Sequence, residues 1–267
     1  MKFASLAVSN IAWPAVDLPE ALDLLRAHGC TAVEIAPFNV FGRWNGIAED
    51  AKRLRAAIED RDLVCSALQG ILYNVPGVAL FGDAAARDRL QRHLDQVAAL
   101  AGILGAKACV FGAPKQRDPG DLPPDHAWTM AVAALRRAGP AFAAAGSALA
   151  FEANAAVYAC RFVTTTAEAI RLVASIDTPG IGLQIDTGTL FLEHEPPAIL
   201  TQAASLALHA HVSEPNLQPP GQQDHAPIAA ALHASGYTGS LSIEMRCVDD
   251  WRTAIPAAIA FAQATYR

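Results

Sequence analysis

The sequence has 267 residues, which is enough for one large α/β barrel or two smaller domains. Its 20 lysines and arginines against 26 aspartates and glutamates give a formal charge of −6, which argues against a nucleic-acid partner. Hydrophobic residues make up 52% of the chain and charged residues 17%, so disorder is excluded and a large core is expected.

The apolar runs and the cysteines indicate where the protein resides. The most apolar stretch, residues 138–151, is interrupted by two glycines and a proline and is too short to span a bilayer. The N-terminal apolar run breaks at Ser9 and Asn10, so we expect a first strand there rather than a signal peptide. The five cysteines are scattered and form no C-x-x-C pair, which argues against a disulfide framework and a cysteine metal cage. We therefore expect a cytoplasmic protein without a membrane partner.

One pattern recurs along the chain: an alanine- and leucine-rich helical stretch, a glycine, and a short apolar run that ends in a polar residue. Residues 25–34 and 236–244 show it clearly. A glycine at the helix end supplies the left-handed terminating residue. An apolar run without clean alternation is typical of a strand buried on both faces. The predicted strands begin near Phe3, Thr31, Leu63, Ala106, Ala148, Ile181, Leu206 and Ser240.

Eight strand–helix units of roughly 34 residues each match the size of a (β/α)8 barrel. Because no linker, charge block or low-complexity segment divides the chain, we predict a single α/β domain, a (β/α)8 TIM barrel over residues 1–267. A doubly wound open sheet would usually have a glycine-rich phosphate turn after the first strand, but residues 8–13 contain no glycine. Nucleotide-binding and serine-hydrolase motifs are also missing from the sequence.

Three predicted helices have readable ends. Residues 17–20 resemble a capping box at the start of the first helix. Asp83 opens a longer helix, which Gly105 terminates. Thr165 or Thr166 caps a later helix.

Four side chains of metal-ligand type end four consecutive predicted strands. They are Glu152, Asp186, His211 and Glu244, spaced roughly 25–34 residues apart, or about one strand–helix unit. Since the carboxyl ends of barrel strands carry the site, we expect these side chains to point at a common centre above the barrel. Three carboxylates and one imidazole suit one divalent ion, Mn²⁺ or Mg²⁺ first, with Co²⁺ and Zn²⁺ left open.

A carboxylate at a strand end has a second interpretation, because it can cap the helix that follows. For any one of the four positions taken alone, helix capping is as good an interpretation as metal binding. Their matching positions in four successive units favour the metal. His209 lies two residues before His211, faces the same side, and is interpreted as core or as support for that ligand.

These segments resemble the xylose isomerase-like superfamily of sugar isomerases and epimerases, a TIM-barrel family. The matching pieces are FEAN at 151–154, QIDTG at 184–188, HVSE at 211–214 and, most specific, GYTGSLSIE at 236–244. The resemblance covers nearly the whole chain and includes residues 9–13 and 111–112.

The resemblance implies a metal held by the four strand-end residues. In the ketose epimerase branch, the glutamates that match Glu152 and Glu244 also exchange protons with opposite faces of the sugar. The metal stabilises the cis-enediolate that forms when a proton next to the carbonyl is removed, and the two carboxylates take and return that proton. We therefore hypothesise a metal-dependent isomerase or epimerase of a sugar or polyol derivative, active in carbohydrate metabolism.

Three positions depart from the ketose 3-epimerase branch. The supporting histidine three residues after the aspartate ligand is Thr189 here. The substrate-binding arginine six residues after the histidine ligand is Leu217, and the substrate-contacting glutamate six residues after the first glutamate ligand is Tyr158. The set that binds sugar hydroxyls has changed, so the resemblance does not imply a free ketohexose.

Other substrate-binding candidates lie at strand ends or in the loops that follow. Trp13 is interpreted as the floor of a sugar site or as a buried aromatic of the barrel rim. Lys115 and Arg117 would bind a phosphate or carboxylate, or form an exposed loop pair. Arg246, two residues beyond Glu244, is expected on the pocket side. The remaining candidates are Glu34, Gln69, Asn154, Tyr158 and His225.

Other activities remain open on this site. An inosose-type dehydratase would remove the same proton and then release a hydroxyl, so its product would lose one water. A catalytically inactive sugar-binding barrel is the other alternative, which Thr189 favours. Cleavage at abasic DNA is known on the same barrel, but the acidic charge and the few histidine ligands argue against it. The expected partner is a small sugar or polyol, and a homo-oligomer stays open because related barrels commonly pair.

Overall fold

The computed structural model describes residues 3–203 and 205–266, and strands alternate with helices throughout. The strands are β1 (Leu6–Val8), β2 (Ala32–Ile35), β3 (Val64–Leu68), β4 (Ala108–Phe111), β5 (Leu149–Glu152), β6 (Ile181–Asp186), β7 (Ala207–Ser213) and β8 (Ser240–Glu244). The α-helices are α1 (Leu18–Ala27), α2 (Pro37–Phe41), α3 (Ala48–Glu59), α4 (Ala84–Leu104), α5 (Pro124–Ala144), α6 (Thr166–Ile176), α7 (Thr187–Leu192), α8 (Leu200–Ala203), α9 (Ala226–Ser235) and α10 (Trp251–Thr265). Short 3₁₀ turns cover Asn10–Ala12, Ala15–Asp17, Pro114–Arg117, Ala156–Tyr158, Pro197–Ile199 and Pro215–Leu217.

The strands pair in parallel, in the order β1-β8-β7-β6-β5-β4-β3-β2. The two end strands meet at a single bridge between Ser9 and Glu34, and the backbone N–H of Thr31 donates to Leu6 O at 3.1 Å. The sheet is therefore a nearly closed barrel with helices between the strands, which confirms the predicted (β/α)8 TIM barrel. Each strand begins within three residues of its predicted start, and β1 shows the largest difference.

The predicted helix ends are confirmed at α4 and α6 and wrong at α1. The Asp83 side chain accepts from Ala86 N, Gly105 takes the left-handed conformation after α4, and Thr165 forms a complete capping box with Glu168. The Asp17 side chain accepts no capping hydrogen bond. It ends the preceding 3₁₀ turn, so its backbone is turn-like rather than extended as a capping residue requires.

The barrel lining differs from the layer between strands and helices. Outward-facing strand residues such as Cys109, Phe111 and Phe151 are buried in the main hydrophobic core against the helices. Inside, small residues from three neighbouring strands form a separate cluster of Ala67, Ala108 and Ala150. Successive strand residues face opposite sides, so Glu152 follows Ala150 on the inner face.

The barrel interior is also unusually polar from β6 through β8 and at β2. Buried polar side chains there are Glu34, Gln184, His209, His211 and Ser242. Buried polar groups destabilise a core unless they are paired, so this lining points to a specific hydrogen-bonding arrangement.

The contact between α5 and the turn before β6 depends on a glycine. Gly180 has a φ of +83°, and a Cβ there would overlap the carbonyl oxygen of Gly139 in α5. Gly146 has a similar φ of +69°, but a Cβ there would meet nothing within 4 Å. A substitution at Gly146 would therefore add backbone strain alone, whereas one at Gly180 would add steric overlap as well.

We predict that Gly146→Ala destabilises the protein by about 1–2 kcal/mol, the cost of the left-handed conformation alone. Gly180→Ala should cost about 1–3 kcal/mol more, because α5 must also move away from the turn. Urea denaturation of both variants measures the difference. Equal losses would show that α5 does not press against this turn.

Candidate metal centre

The four predicted ligands come from four neighbouring strands at the carboxyl end of the barrel. Glu152, Asp186 and Glu244 are the last residues of β5, β6 and β8, and His211 lies within β7. The strand register pairs Asp186 with His211 directly. The barrel therefore brings all four side chains to one place, as the spacing predicts.

The imidazole of His211 lies at the centre of this group. Its Nδ1 atom is 3.2 Å from Glu152 Oε1, 3.2 Å from Glu244 Oε2 and 3.9 Å from Asp186 Oδ2. This nitrogen is buried, and no group among the described residues forms a well-directed hydrogen bond with it. A buried nitrogen that faces three carboxylate oxygens is the donor set expected around a divalent cation.

The other ring nitrogen of His211 faces a buried carboxylate. Nε2 lies 3.0 Å from Glu34 Oε1, and His209 Nε2 lies 3.3 Å from the same oxygen. Burial opposes ionisation of Glu34, but the neighbouring His211 and His209 outweigh it and lower the pKa of Glu34. The ionised carboxylate accepts a hydrogen bond from Nε2–H, which leaves Nδ1 as the nitrogen that faces the three other carboxylates.

The three ligand carboxylates crowd one another. Burial, together with the charges of Glu152 and Glu244, raises the pKa of Asp186 to about 7. Burial opposes protonation of His211, but the carboxylates of Glu244 and Glu34 raise its pKa well above the usual value. The group therefore stabilises positive charge at its centre, and protons compete for the place that a cation would take.

Two nearby groups hold Asp186 in position. Ser213 Oγ donates to Asp186 Oδ2 at 2.5 Å, and Thr189 N–H donates to Oδ1 at 2.6 Å. Asp186 thus caps α7 with one oxygen, as the capping interpretation has it, while the other oxygen faces His211. Sequence reasoning missed Ser213, although its place two residues after His211 puts it on the same strand face.

Arg117 lies behind Glu152 rather than in the cleft. Its guanidinium is fully buried, and it donates to Glu152 O at 2.5 Å and to Asn154 Oδ1 at 2.9 Å. Asn154 Nδ2 in turn donates to Glu152 Oε2 at 2.8 Å. The sequence predicts that Arg117 contacts substrate, but its guanidinium is instead hydrogen-bonded to the strand end and loop that carry Glu152.

The other predicted substrate contacts divide into buried, cleft-lining and exposed groups. Glu34, Trp13 and His225 are buried and do not line the cleft, and His225 Nδ1 is hydrogen-bonded to the Tyr266 hydroxyl at 2.6 Å. The burial of Trp13 fits its interpretation as a rim aromatic, and substrate contact by these three residues stays a prediction. Gln69, which bonds Ser9, lines the cleft with Asn154 and Tyr158. Lys115 and Arg246 are exposed and line neither part of the cleft, against expectation.

The cleft above the four ligands has two lobes that share Ala113, Glu152 and Glu244. The first lobe, of about 280 Å³, is bordered by the loop after β3 and contains Gln69, Asn74 and Gln116. The second lobe, of about 430 Å³, is bordered by the loops after β5 and β7 and contains Pro114, Tyr158 and Leu217. Glu152 and Glu244 therefore lie where the two lobes meet, while His211 lines the first lobe and Asp186 the second.

A family model described as the xylose isomerase-like TIM barrel matches residues 22–265. The chain belongs to the xylose isomerase-like TIM barrel family. No curated protein matches the sequence. In the described part of this barrel, no helix is long and apolar enough to cross a membrane.

Solved structures share the fold over nearly their full length. D-psicose 3-epimerase from Clostridium cellulolyticum H10, solved with D-tagatose, has a TM-score of 0.85 at 16% identity, covering 98% of this chain and 99% of that one. An L-ribulose 3-epimerase has a TM-score of 0.81 at 22% identity, with 99% and 95% covered. The 3-keto-D-glucoside 4-epimerase YcjR from E. coli has a TM-score of 0.76 at 18% identity, with 97% and 98% covered. At these identities the similarity establishes the fold.

Gly112, just after β4, leaves room for the Glu152 carboxylate. A Cβ at this position would lie 2.6 Å from Glu152 Oε2 and 3.1 Å from Asn154 Oδ1. Gly102 in α4 provides a matched control, since its Cβ would make only ordinary contacts at 3.5 Å. Sequence reasoning missed Gly112 as a site residue, because the clash arises from the neighbouring strand.

We predict that Gly112→Ala weakens Mn²⁺ binding at least about tenfold, because the new methyl group displaces the Glu152 carboxylate. Loss of the contacts that support a metal ligand has an effect of this size. Gly102→Ala should leave binding unchanged. Titration calorimetry with Mn²⁺ on both variants measures this. Wild-type affinity in Gly112→Ala would show that Glu152 does not need its present position.

Proposed function

We propose that this protein is a divalent-metal-dependent isomerase or epimerase of a sugar or polyol derivative. The observation that carries the proposal is the buried Nδ1 of His211, which faces the carboxylates of Glu152, Asp186 and Glu244. Further support comes from the fold: similar structures include epimerases solved with D-tagatose, D-fructose and D-allulose.

These four side chains would hold one divalent ion. Three carboxylates and one imidazole suit Mn²⁺ or Mg²⁺, with Co²⁺ and Zn²⁺ as alternatives. When bound, the ion would supply positive charge that stabilises an enediolate formed next to a sugar carbonyl. The rise in the pKa of Asp186 supports this fit, because crowded carboxylates need a cation to remain ionised together.

Glu152 and Glu244 are placed to move protons. They are the outer members of the ligand group on β5 and β8, with Asp186 and His211 between them, and both line the two lobes. A sugar that lies across the meeting point of the lobes would present opposite faces to the two carboxylates. One would remove the proton next to the carbonyl, and the other would return a proton from the opposite side.

Supporting residues orient the carboxylates of Glu152 and Asp186. Asn154 donates to one oxygen of Glu152 and leaves Oε1 facing the centre. Thr189, which replaces the histidine of the ketose 3-epimerase branch, donates its hydroxyl to Ala153 O at 3.3 Å and its backbone N–H to Asp186. Thr189 thus supports the ends of β5 and β6 through these two hydrogen bonds.

The test combines metal content with proton exchange in D₂O. Wild-type protein should carry about one divalent ion per chain and exchange the proton next to the carbonyl of a keto-sugar. Glu152→Gln and Glu244→Gln should each lower exchange at least about a hundredfold, because proton transfer by a positioned side chain contributes that much. Glu59→Gln, an exposed change in α3, is the matched control and should keep both properties.

Product mass separates the related activities. An isomer keeps the mass of the substrate, whereas a dehydratase product is lighter by one water. A metal-loaded protein that exchanges no proton with any keto-sugar would contradict the proposal and leave a sugar-binding barrel. Unchanged metal content in both glutamine variants and in Asp186→Asn would contradict the assigned ligands.

A further inference from the structure

The two lobes of the cleft differ in chemistry. The first lobe has polar and apolar surface in equal parts and includes Asn74 and Gln116 with Glu152 and Glu244, and such polar groups pair with sugar hydroxyls. The second lobe is mostly apolar in surface, with Pro114, Tyr158 and Leu217 in its lining beside polar groups such as Asn216. One half of the cleft therefore suits a sugar ring, and the other suits an apolar group attached to it.

Tyr158 offers an aromatic face whose orientation is already fixed. The residue is 41% exposed, and its hydroxyl accepts a hydrogen bond from Asn216 N at 2.8 Å. This bond joins the loop after β5 to the loop after β7. The neighbouring Val157 is 70% exposed, so apolar surface continues along the rim. An exposed ring held in place loses little conformational freedom when a second ring packs against it.

Left-handed residues lie at or next to Pro114, Tyr158 and Leu217 of the second lobe, and Asn74 of the first lobe also has this conformation. Ala113 precedes Pro114 with a φ of 54°, Ala159 follows Tyr158 with a φ of 58°, and Leu217 itself has a φ of 53°. A residue other than glycine in this conformation costs about 1–2 kcal/mol. Such strain concentrates where a binding surface requires a particular loop path. Strained residues thus occur in three separate loops, and all three loops contribute to the same apolar surface.

The charge of the cleft disfavours an anionic substrate. Three ligand carboxylates line it, and one divalent ion would neutralise only two of their charges. Arg117 is buried with its donors committed to Glu152 O and Asn154, and Lys115 and Arg246 lie outside both lobes. A phosphate or carboxylate on the substrate would meet repulsion without a paired cation.

We infer that the substrate is an uncharged glycoside whose aglycone is an apolar ring. The sugar would lie at the meeting point of the lobes and extend into the first lobe, and the aglycone would lie against Tyr158 and Leu217 in the second. This inference rests on the proposed function and narrows its substrate class. The volume of the second lobe, about 430 Å³, is within the range of pockets that hold small organic ligands.

The first arm of the experiment measures binding without turnover. Mn²⁺-loaded protein is titrated with methyl β-D-glucoside, phenyl β-D-glucoside and methyl β-D-glucoside 6-phosphate, which lack the carbonyl needed for reaction. The phenyl glycoside should bind about tenfold more tightly than the methyl glycoside, since an aromatic contact adds to apolar burial. The phosphate should bind most weakly. Equal affinity for phenyl and methyl glycosides, or tightest binding of the phosphate, would overturn the inference.

Variants locate the aglycone. Tyr158→Ala should bring the ratio of phenyl to methyl affinity close to one, whereas Tyr158→Phe, which keeps the ring, should retain most of the preference. Val64→Ala, which removes exposed apolar surface at the start of β3, should leave the ratio unchanged. A full phenyl preference in Tyr158→Ala would overturn the placement in the second lobe.

The second arm follows proton exchange in D₂O with the methyl and phenyl glycosides of 3-keto-D-glucose. Exchange with a higher kcat/KM for the phenyl compound supports both the proposed function and the inference. Preferential phenyl binding without any exchange would reject the proposed function and leave the binding inference standing. Exchange on both compounds at equal kcat/KM, with equal binding, would reject the inference and leave the proposed function standing.

Discussion

The hydrogen bond between His211 Nε2 and the buried carboxylate of Glu34 fixes the chemistry of the whole centre. An imidazole has one donor and one acceptor nitrogen when neutral, and the partner of one nitrogen sets the role of the other. Glu34 is fully buried beside Nε2, so Nε2 keeps its proton and Nδ1 is the nitrogen that faces the other three carboxylates. Because these carboxylates raise the pKa of His211, a cation at this place would displace the proton of Nδ1.

The barrel stabilises this arrangement because the carboxylates around His211 have close polar neighbours. Glu34 faces two histidines, Asp186 accepts from Ser213 and Thr189, and Glu152 accepts from Asn154. Parallel strands deliver these groups in register, and the helices outside enclose a core of ordinary apolar side chains. The strained loops lie above the strand ends, where the scaffold can support them and where a ligand would contact them.

The fold and the ligand group follow from local sequence patterns. A repeated helix, glycine and apolar strand predicts a barrel, and the strand-end position predicts that Glu152, Asp186, His211 and Glu244 meet. The placement of loop side chains is harder to predict from sequence. A charged loop side chain is exposed or buried according to partners that are distant in sequence. Arg117 is buried because Glu152 O and Asn154 accept its donors, and neither contact is visible in its own segment. Glu34 and His225 stand near strand or loop ends, as substrate contacts do, but their partners lie inside the protein.

A crystal soaked with Mn²⁺ and measured near the manganese absorption edge tests the central claim most directly, because two groups of residues around His211 could hold an ion. One comprises Glu152, Asp186 and His211, and the other comprises Glu34, His209 and His211. We predict one anomalous peak on the Nδ1 side of His211, among Glu152, Asp186 and Glu244. A peak on the Nε2 side, between Glu34 and His209, or no peak at either position, would contradict it.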